Sequence, residues 1–335
     1  MSTEALVTPR STRRRLSVDR TKILGVVAFE LILIVVFSIT TGRFLAWENV
    51  NSILFTAAIF TVAAVGEALV ILTGNYDLSV GSIMGVSAYV TFDLAGANPA
   101  LGPWVVFIAV ALGLAMGAIN GVLVAVFSLN SMVATLGTLS IYRGFVSLYA
   151  SAQEVTSGEL PGWIRALYSS QPLGISMYVW TAAIVVILAA FALAKLPMGR
   201  QLYAYGSNQA AAQYYGLKPV RVLMTAYLGS GVLAALAGLL LGVQVGNINS
   251  LLGWTYEMQI LAAVVIGGVS IFGGSGSVIG VAIGAIVLAS INNGLVLMGT
   301  RDSVRLLIQG IALVLAVGVD AFIQRRLAPR RGVEA

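Results

Sequence analysis

The stretch WVVFIAVALGLAMGAINGVLVAVFS, residues 104–128, decides the fold class of this chain. It runs for 25 residues without a charged side chain. An α-helix needs about 20 apolar residues to cross the hydrocarbon core of a bilayer. The stretch therefore predicts a membrane-spanning helix.

The remainder of the chain has the same character. Of its 335 residues, 59% are hydrophobic and 10% are charged, and the mean hydropathy is +0.95. In a soluble domain about a quarter of the residues are charged. There is too little polar surface here to cover a water-soluble globule, which indicates an integral membrane protein.

Further apolar stretches predict further crossings. A shorter apolar piece at 258–270 predicts a half-helix or a tilted span. With that piece there are ten crossings, an even number that puts both basic termini on one side of the membrane. The alternative is eight crossings with broken or re-entrant segments. The predicted fold is an all-α polytopic membrane helix bundle of about ten transmembrane segments, some short or broken. The long candidates are 23–41, 53–73, 79–97, 104–128, 131–150, 178–194, 222–246, 279–298 and 304–323.

The positive charges are segregated along the chain. Residues 1–22, 195–221 and 324–335 hold 14 of the 19 cations and three acids, for a balance of +11, while the remainder carries −5. Basic segments stay on the cytoplasmic side of a membrane. We therefore expect a basic cytoplasmic tail at 1–22, a transmembrane domain at 23–323 and a second cytoplasmic tail at 324–335.

This topology explains the net charge of +6, so the charge does not indicate nucleic-acid binding. We expect membrane lipid to surround the chain. The apolar run 23–41 is long enough to span and is not followed by a small-residue cleavage site, so it predicts a retained first helix. The chain is then a multi-pass protein of the cytoplasmic membrane, with both termini cytoplasmic and residues 151–177 forming an external loop.

Several kinds of chemistry are excluded by composition. The chain has no cysteine and no histidine, which removes disulfides, thiolate or imidazole metal sites and Ser-His-Asp or Cys-His catalysis. Lys22, Lys195 and Lys218 are the lysines, and none lies in a GxxxxGK[ST] phosphate loop. We expect no catalytic residue, no metal and no cofactor in this chain.

Polar residues inside the spans are the candidates for a translocation pathway. A charge at the centre of a span costs about 2.5–3.5 kcal/mol, so each one suggests a function. Glu67, Asp77, Ser79 and Arg143 are candidate lining or gating groups. The alternative is structural: Arg143 forms an ion pair with an acid or reaches the interface, and Ser79 caps the following helix. For Glu30 the structural role is favoured.

Residues 199–222, GRQLYAYGSNQAAAQYYGLKPVRV, are polar and cationic in an otherwise apolar chain. Pro197 is expected to stop the preceding helix. Ser207 and Asn208 are good N-caps for QAAAQYY, and Gly216 is a suitable residue just after its end. We predict a two-turn cytoplasmic helix whose small side chains dock into a groove on a soluble partner. A helix lying on the bilayer is the weaker alternative, because the segment lacks a large apolar face.

Two parts of the chain are weakly alike. ALVILTGNYDLSVGSIMGVSAY (68–89) and AAVVIGGVSIFGGSGSVIGVAIGA (262–285) both run from an apolar stretch through a glycine-rich break into a small-residue helix. Transporters often contain repeated halves with broken helices. Chance similarity of glycine-rich apolar sequence is the alternative.

The segment 199–222 resembles the coupling loop of ABC-importer permeases of the ribose/xylose/galactose type, where a GxN-x-x-AA…G pattern contacts the ATPase. ILTGNYDLSVGS (71–82), MVATLGTLSIYRG (132–144) and AAVVIGGVSIFGGSGSVIG (262–280) are similar to the same family, in the same order. The resemblance covers roughly residues 25–325. This chain departs from the family pattern at Asn75, where glycine is usual, and at Gln209, where glutamate is usual.

The resemblance implies the transmembrane subunit of an ATP-driven importer of a sugar or sugar-like solute, working by alternating access. ATP and Mg²⁺ would bind a separate cytoplasmic ATPase that contacts the coupling loop at 196–221. An extracytoplasmic sugar-binding protein and a second permease copy, identical or paralogous, are the other implied partners. Alternatives are a nucleoside, branched-chain amino acid or furanone cargo, an ion-coupled secondary carrier using Glu67 or Asp77, or a non-transporting scaffold. The implied ATPase-coupling residues are Gly206, Asn208, Ala210, Ala211 and Gly216.

Overall fold

The computed structural model describes residues 11–156, 158 and 160–327. These residues form thirteen α-helices and one two-stranded sheet. The helices are α1 Ser11–Thr41, α2 Trp47–Ile71, α3 Val80–Ala97, α4 Val105–Ala125, α5 Ser131–Ala150, α6 Gly162–Ser169, α7 Met177–Lys195, α8 Pro197–Ser207, α9 Gln209–Tyr214, α10 Pro219–Val245, α11 Tyr256–Ile266, α12 Val278–Leu297 and α13 Asp302–Leu327. The strands are β1 Val155–Thr156 and β2 Asn247–Ile248, and short 3-10 turns occupy Pro99–Trp104 and Pro172–Gly174.

Every predicted span corresponds to a helix, because each long apolar run can pair its backbone groups within itself. Within the described residues, seven helices are long and apolar enough to cross a membrane: α1 from Ile23, α2, α3, α4 with the turn before it, α7, α10 and α12. Helix α11 is the shorter apolar helix. Helix α5 coincides with the predicted span 131–150 but is too polar to be one of the seven. The all-α polytopic membrane fold is confirmed.

The first and last helices extend into the predicted tails, whose boundaries with the membrane stay a prediction. Helix α1 begins at Ser11, inside the predicted tail 1–22, and α13 continues to Leu327, past the predicted boundary at residue 323. Residues 1–10 and 328–335 of the two tails lie outside the described residues.

The centre of the bundle is formed by α2, α3, α10 and α12, while α1 and α7 lie at its edge. Helices α4 and α10 pack most closely. A Cβ added at Gly113 or Gly117 of α4 would collide with the backbone carbonyls of Gly231 or Tyr227 on α10. Small residues therefore let these two helix backbones touch.

The two ends of the bundle are built differently. One end, called here the junction end, holds α8, α9 and the breaks that follow α2 and α11. The opposite end holds residues 151–156, residues 160–176 and the sheet, in which Val155 pairs with Ile248 and Thr156 with Asn247. The predicted external loop therefore contains a strand and the helix α6.

Candidate functional site

The coupling segment, residues 196–221, folds into two helices. Pro197 does interrupt the chain after α7, but as the first residue of α8 it starts a new helix. The predicted single helix thus corresponds to α9 alone, and the residues before it are helical and not a solvated loop. Helix α8 also has a packed face, since Leu202 and Tyr205 are buried.

Helix α9 has the predicted caps. The Asn208 side chain accepts a hydrogen bond from the Ala211 N–H at 3.0 Å. At the other end Gly216 has φ +83°, and the Leu217 N–H donates to the Ala212 carbonyl at 3.0 Å. This is the Schellman pattern, which favours glycine at the left-handed position.

The coupling segment rests on both breaks of the bundle. The first break is residues 72–79, between α2 and α3, and the second is residues 267–277, between α11 and α12. The Gly274 N–H donates to the Leu72 carbonyl at 2.9 Å, which joins one break to the other. Gly206 of α8 leaves no space at this point, because a Cβ there would overlap the Leu72 carbonyl and lie 2.7 Å from the Gly274 nitrogen.

Side chains reinforce this meeting point. The Tyr76 hydroxyl donates to the Ile271 carbonyl at 2.7 Å, and the Tyr203 hydroxyl of α8 donates to the Gly276 carbonyl at 2.9 Å. Gln209 at the start of α9 donates to the Thr73 carbonyl at 3.4 Å. A displacement of α8 and α9 would therefore be transmitted to both breaks.

The first break contains a buried polar cluster centred on Asp77, called here the Asp77 network. Its members are Glu67, Asp77, Ser79, Asn120 and Ser230, each at most 2% exposed. Asp77 Oδ1 accepts from the Ser79 hydroxyl at 2.6 Å, the Ser79 N–H at 3.1 Å and the Asn120 amide at 3.2 Å. Asp77 Oδ2 accepts from the Ser230 hydroxyl at 3.2 Å. Four donor groups from three different residues therefore converge on this one carboxyl group.

The network links the break to three spans. Glu67 of α2 accepts from the Asp77 N–H at 3.1 Å, Asn120 lies on α4, and Ser230 lies on α10. On α5, Thr135 accepts from the Leu78 N–H at 3.1 Å. One oxygen of Glu67, Oε2, has no hydrogen-bond partner among the described residues.

Ser79 does not cap α3, so that prediction is wrong. It occupies the N-cap position, but its hydroxyl makes no cap hydrogen bond. The hydroxyl instead donates to Asp77 and accepts from Asn120 at 2.7 Å. The carboxylate two residues earlier is the stronger acceptor and takes the hydroxyl away from the helix end.

Arg143 is buried near the end of the bundle opposite the junction. Its Nη1 donates to the Leu252 carbonyl at 2.6 Å, and its guanidinium lies 5.5 Å from the Trp254 ring centroid. No described carboxylate is within 4 Å of it, so the ion pair that was one of its predicted roles is not formed in this structure. Arg143 Nη2 and Glu257 Oε2 are both buried and without hydrogen-bond partners among the described residues.

The comparisons with known proteins agree with this architecture. Residues 49–317 match the family described as the branched-chain amino acid transport system / permease component. The chain belongs to this family. It is 34% identical over 297 residues to the ribose import permease protein RbsC of Escherichia coli K12, covering 87% of this chain and 91% of that protein. It is 38% identical over 256 residues to the autoinducer 2 import system permease protein LsrC of Escherichia coli K12 / DH10B, covering 76% and 74%.

A further ribose import permease protein RbsC, from Haemophilus influenzae, is 30% identical over 295 residues, with 88% of this chain and 91% of that protein covered. No solved structure matches the chain. The prediction of a membrane-embedded importer subunit, and not an enzyme, is confirmed by this family membership.

The predicted coupling residues of the permease do not all face the same way. Asn208, Ala210 and Gly216 are exposed, and Ala211 is partly buried. Gly206 faces the two breaks, a placement that its sequence motif does not indicate. Any effect of Gly206 on an ATPase would therefore pass through the packing of α8.

Of the predicted pathway residues, the structure brings Glu67, Asp77 and Ser79 together and leaves Arg143 apart. The sequence reasoning missed Asn120, Ser230 and Glu257. Asn120 could have been found as the one strongly polar residue within the span 104–128. In the part of the chain that the structure describes, no group of histidine, cysteine or acidic residues could hold a metal ion.

Proposed function

We propose that this permease imports a sugar or sugar-like solute through alternating access driven by a separate cytoplasmic ATPase. The observation that carries the mechanism is the contact of the coupling segment with both breaks, through Gly206, Leu72 and Gly274. The cargo class is supported by the relatives, whose names state import of ribose and of autoinducer 2. ATP and Mg²⁺ would bind the ATPase.

The ATPase docks on the outer surface of α9. This helix is short, capped at both ends and exposes small side chains such as Ala210. Such a surface admits close approach by a partner groove. With the ATPase in the cytoplasm, the junction end, residues 196–221 and both termini face the cytoplasm, in agreement with the positive-inside distribution.

The opposite end then faces outward. Residues 160–176 and the β1–β2 sheet offer a surface on which an extracytoplasmic binding protein can deliver the solute. A second permease copy, identical or paralogous, completes the pathway. Helix α5 supports this pairing, since its exposed side carries the small residues Gly137, Ser140 and Gly144 among large apolar side chains.

The geometry of Asp77 argues against its use as the cation site of an ion-coupled carrier. Both of its oxygens already accept hydrogen bonds from protein groups: Ser79, Asn120 and Ser230. A cation would have to displace these donors before binding. The network is better suited to holding the first break in position relative to α4 and α10.

A charge placed on α9 tests the ATPase contact. Ala210→Glu should leave the permease folded, since a solvent-exposed helix accepts glutamate with little change in propensity. At a docked interface the same charge is buried and unpaired, which is costly. We expect loss of ATPase co-purification or of hydrolysis stimulated by loaded binding protein. The control is Ala210→Ser, which keeps the small size. Full coupling in Ala210→Glu would contradict the dock.

The orientation is tested by cysteine labelling, because the native chain has no cysteine. Tyr214 and Leu173 are 89% and 88% exposed, at the junction end and the opposite end. In intact cells an impermeant reagent should label Leu173→Cys and reach Tyr214→Cys only after permeabilisation. The reverse pattern would overturn the proposed topology.

A further inference from the structure

A polar cavity lies beside the coupling segment, where α9 leads into α10. Its volume is about 270 Å³. It is lined by Gln201 of α8 and by residues 215–218 and Arg221. Its lining polar side chains are therefore an amide, a phenol, an ammonium and a guanidinium, all of which can donate hydrogen bonds.

The two cations of this cavity are not neutralised locally. Among the described residues no carboxylate lies within 4 Å of Lys218 or Arg221. The sequence explains this, since it contains no acidic residue between Glu159 and Glu257. Two exposed cations around a concave polar space form a site for an anion.

The length of α10 places the cavity at the membrane surface. The helix has 27 residues and Lys218 is its N-cap. At 1.5 Å per residue it is about 40 Å long, which exceeds the hydrocarbon core of about 30 Å and reaches the headgroup layers. Lys218 and Arg221, at the first turn, then lie at headgroup depth.

The neighbouring aromatic residues agree with that depth. Tyr214 and Tyr215 are 89% and 83% exposed and their ring centroids lie 5.9 Å apart. Tyrosine is enriched at the membrane–water interface, where its ring contacts lipid and its hydroxyl contacts water.

We propose that this cavity binds a phosphate group, and that the phosphate belongs to the headgroup of an anionic phospholipid. A guanidinium and an ammonium are the side chains that bind phosphate oxygens, and basic pockets at the cytoplasmic membrane surface bind lipid headgroups. An acidic surface of a partner protein carries negative charge as the lipid headgroup does. Its binding would not require a cavity at headgroup depth. The bound lipid would fix the connection between α9 and α10 at the membrane surface.

The test measures phospholipid binding to the purified, intact permease in mixed micelles. Phosphatidylglycerol is titrated against phosphatidylcholine, and bound lipid is quantified by native mass spectrometry. The variant is Lys218→Ala combined with Arg221→Ala. The matched control is Arg200→Ala, which removes an exposed cation of α8 that does not line the cavity.

We expect the double variant to bind phosphatidylglycerol about thirtyfold more weakly than the native chain, from the energy of two basic residues near a membrane surface. The Arg200→Ala control and phosphatidylcholine binding should be unchanged. A parallel titration with inorganic phosphate distinguishes a free anion from a headgroup. Saturation by phosphate without effect on phosphatidylglycerol retention would overturn the lipid assignment.

Two other outcomes also overturn the proposal. One is equal phosphatidylglycerol binding by the native chain and the double variant. The other is native lipid binding combined with loss of ATPase co-purification in the double variant, which would assign the two cations to a protein contact. Melting temperatures in detergent show whether the double variant is folded. If it is not, the single variants Lys218→Gln and Arg221→Gln are compared in its place.

Discussion

The first and second breaks share a plan but are held by opposite means. Each follows a helix that ends near a glycine with a left-handed conformation, Gly74 with φ +78° and Gly268 with φ +86°. In the first break, side chains form the structure: Asp77 gathers donors from its own loop and from two spans. The second break is shaped by glycines instead of by polar side chains. Besides Gly268, its residues Gly273, Gly274 and Gly276 have positive φ.

This difference teaches what each break tolerates. The second break packs through missing side chains, and its backbone bonds to itself, as where the Ser270 N–H donates to the Ser275 carbonyl at 3.0 Å. Adding atoms should disrupt it. The first break packs through polar groups that need one another in a low-dielectric interior. Removing atoms should disrupt that one.

The largest expected effect is that of Asp77→Ala. It leaves the buried donors of Ser79, Asn120 and Ser230 without their acceptor, and we expect a loss of about 3–5 kcal/mol of stability. Folded yield and melting temperature in detergent are the measurements. Asp77→Asn keeps the shape and one acceptor oxygen and should recover part of the loss. An Asp77→Ala protein as stable as the native chain would show that the Asp77 network does not stabilise the first break.

Next comes Gly206→Ala, which tests the meeting of the two breaks. The new methyl group would overlap the Leu72 carbonyl, and we expect overpacking to cost about 3 kcal/mol. Gly310→Ala on α13 is the matched control, because nothing lies within 4 Å of a Cβ there. The control should gain up to about 1 kcal/mol from helix propensity. Equal behaviour of the two variants in thermal unfolding would contradict the close contact.

A matched pair of serines gives a smaller and more direct comparison. Ser79 and Ser277 both occupy the N-cap of the helix after a break, and neither makes a cap hydrogen bond. Ser79 is fully buried in the Asp77 network, whereas Ser277 is partly exposed. Ser79→Ala should lower stability by about 1–2 kcal/mol and Ser277→Ala by much less. Similar shifts in melting temperature would mean that the breaks are not held differently.

The smallest difference in stability between matched variants is expected where the two breaks are alike. Gly74→Ala and Gly268→Ala each force a side chain into a left-handed backbone, at a cost of about 1–3 kcal/mol in either case. Substitution by asparagine, which tolerates this conformation better, should recover part of the loss at both positions. A large difference between the two alanine variants in detergent stability would show that the shared plan is only superficial.

Sequence alone predicted the membrane fold because the length of an apolar run is a local property. The caps of α9 were also local, and Asn208 and Gly216 behave as their positions indicate. Pro197 misled because the same residue ends one helix and starts the next. The role of Ser79 depends on Asn120, which is 41 residues away in sequence. The close contact of Gly206 depends on two distant loops, so no local pattern could have revealed it.

The Asp77 network also sets an order for biosynthesis. Asp77 enters the membrane with the first spans, but Ser230, which donates to it, follows 153 residues later. Until α10 leaves the ribosome and is inserted, the nascent chain holds an acid in lipid with its set of donors incomplete. At about 5–20 residues per second, that interval is on the order of ten seconds or more. During that interval Asp77 has the donors of Ser79 and, once α4 is inserted, of Asn120, but not that of Ser230.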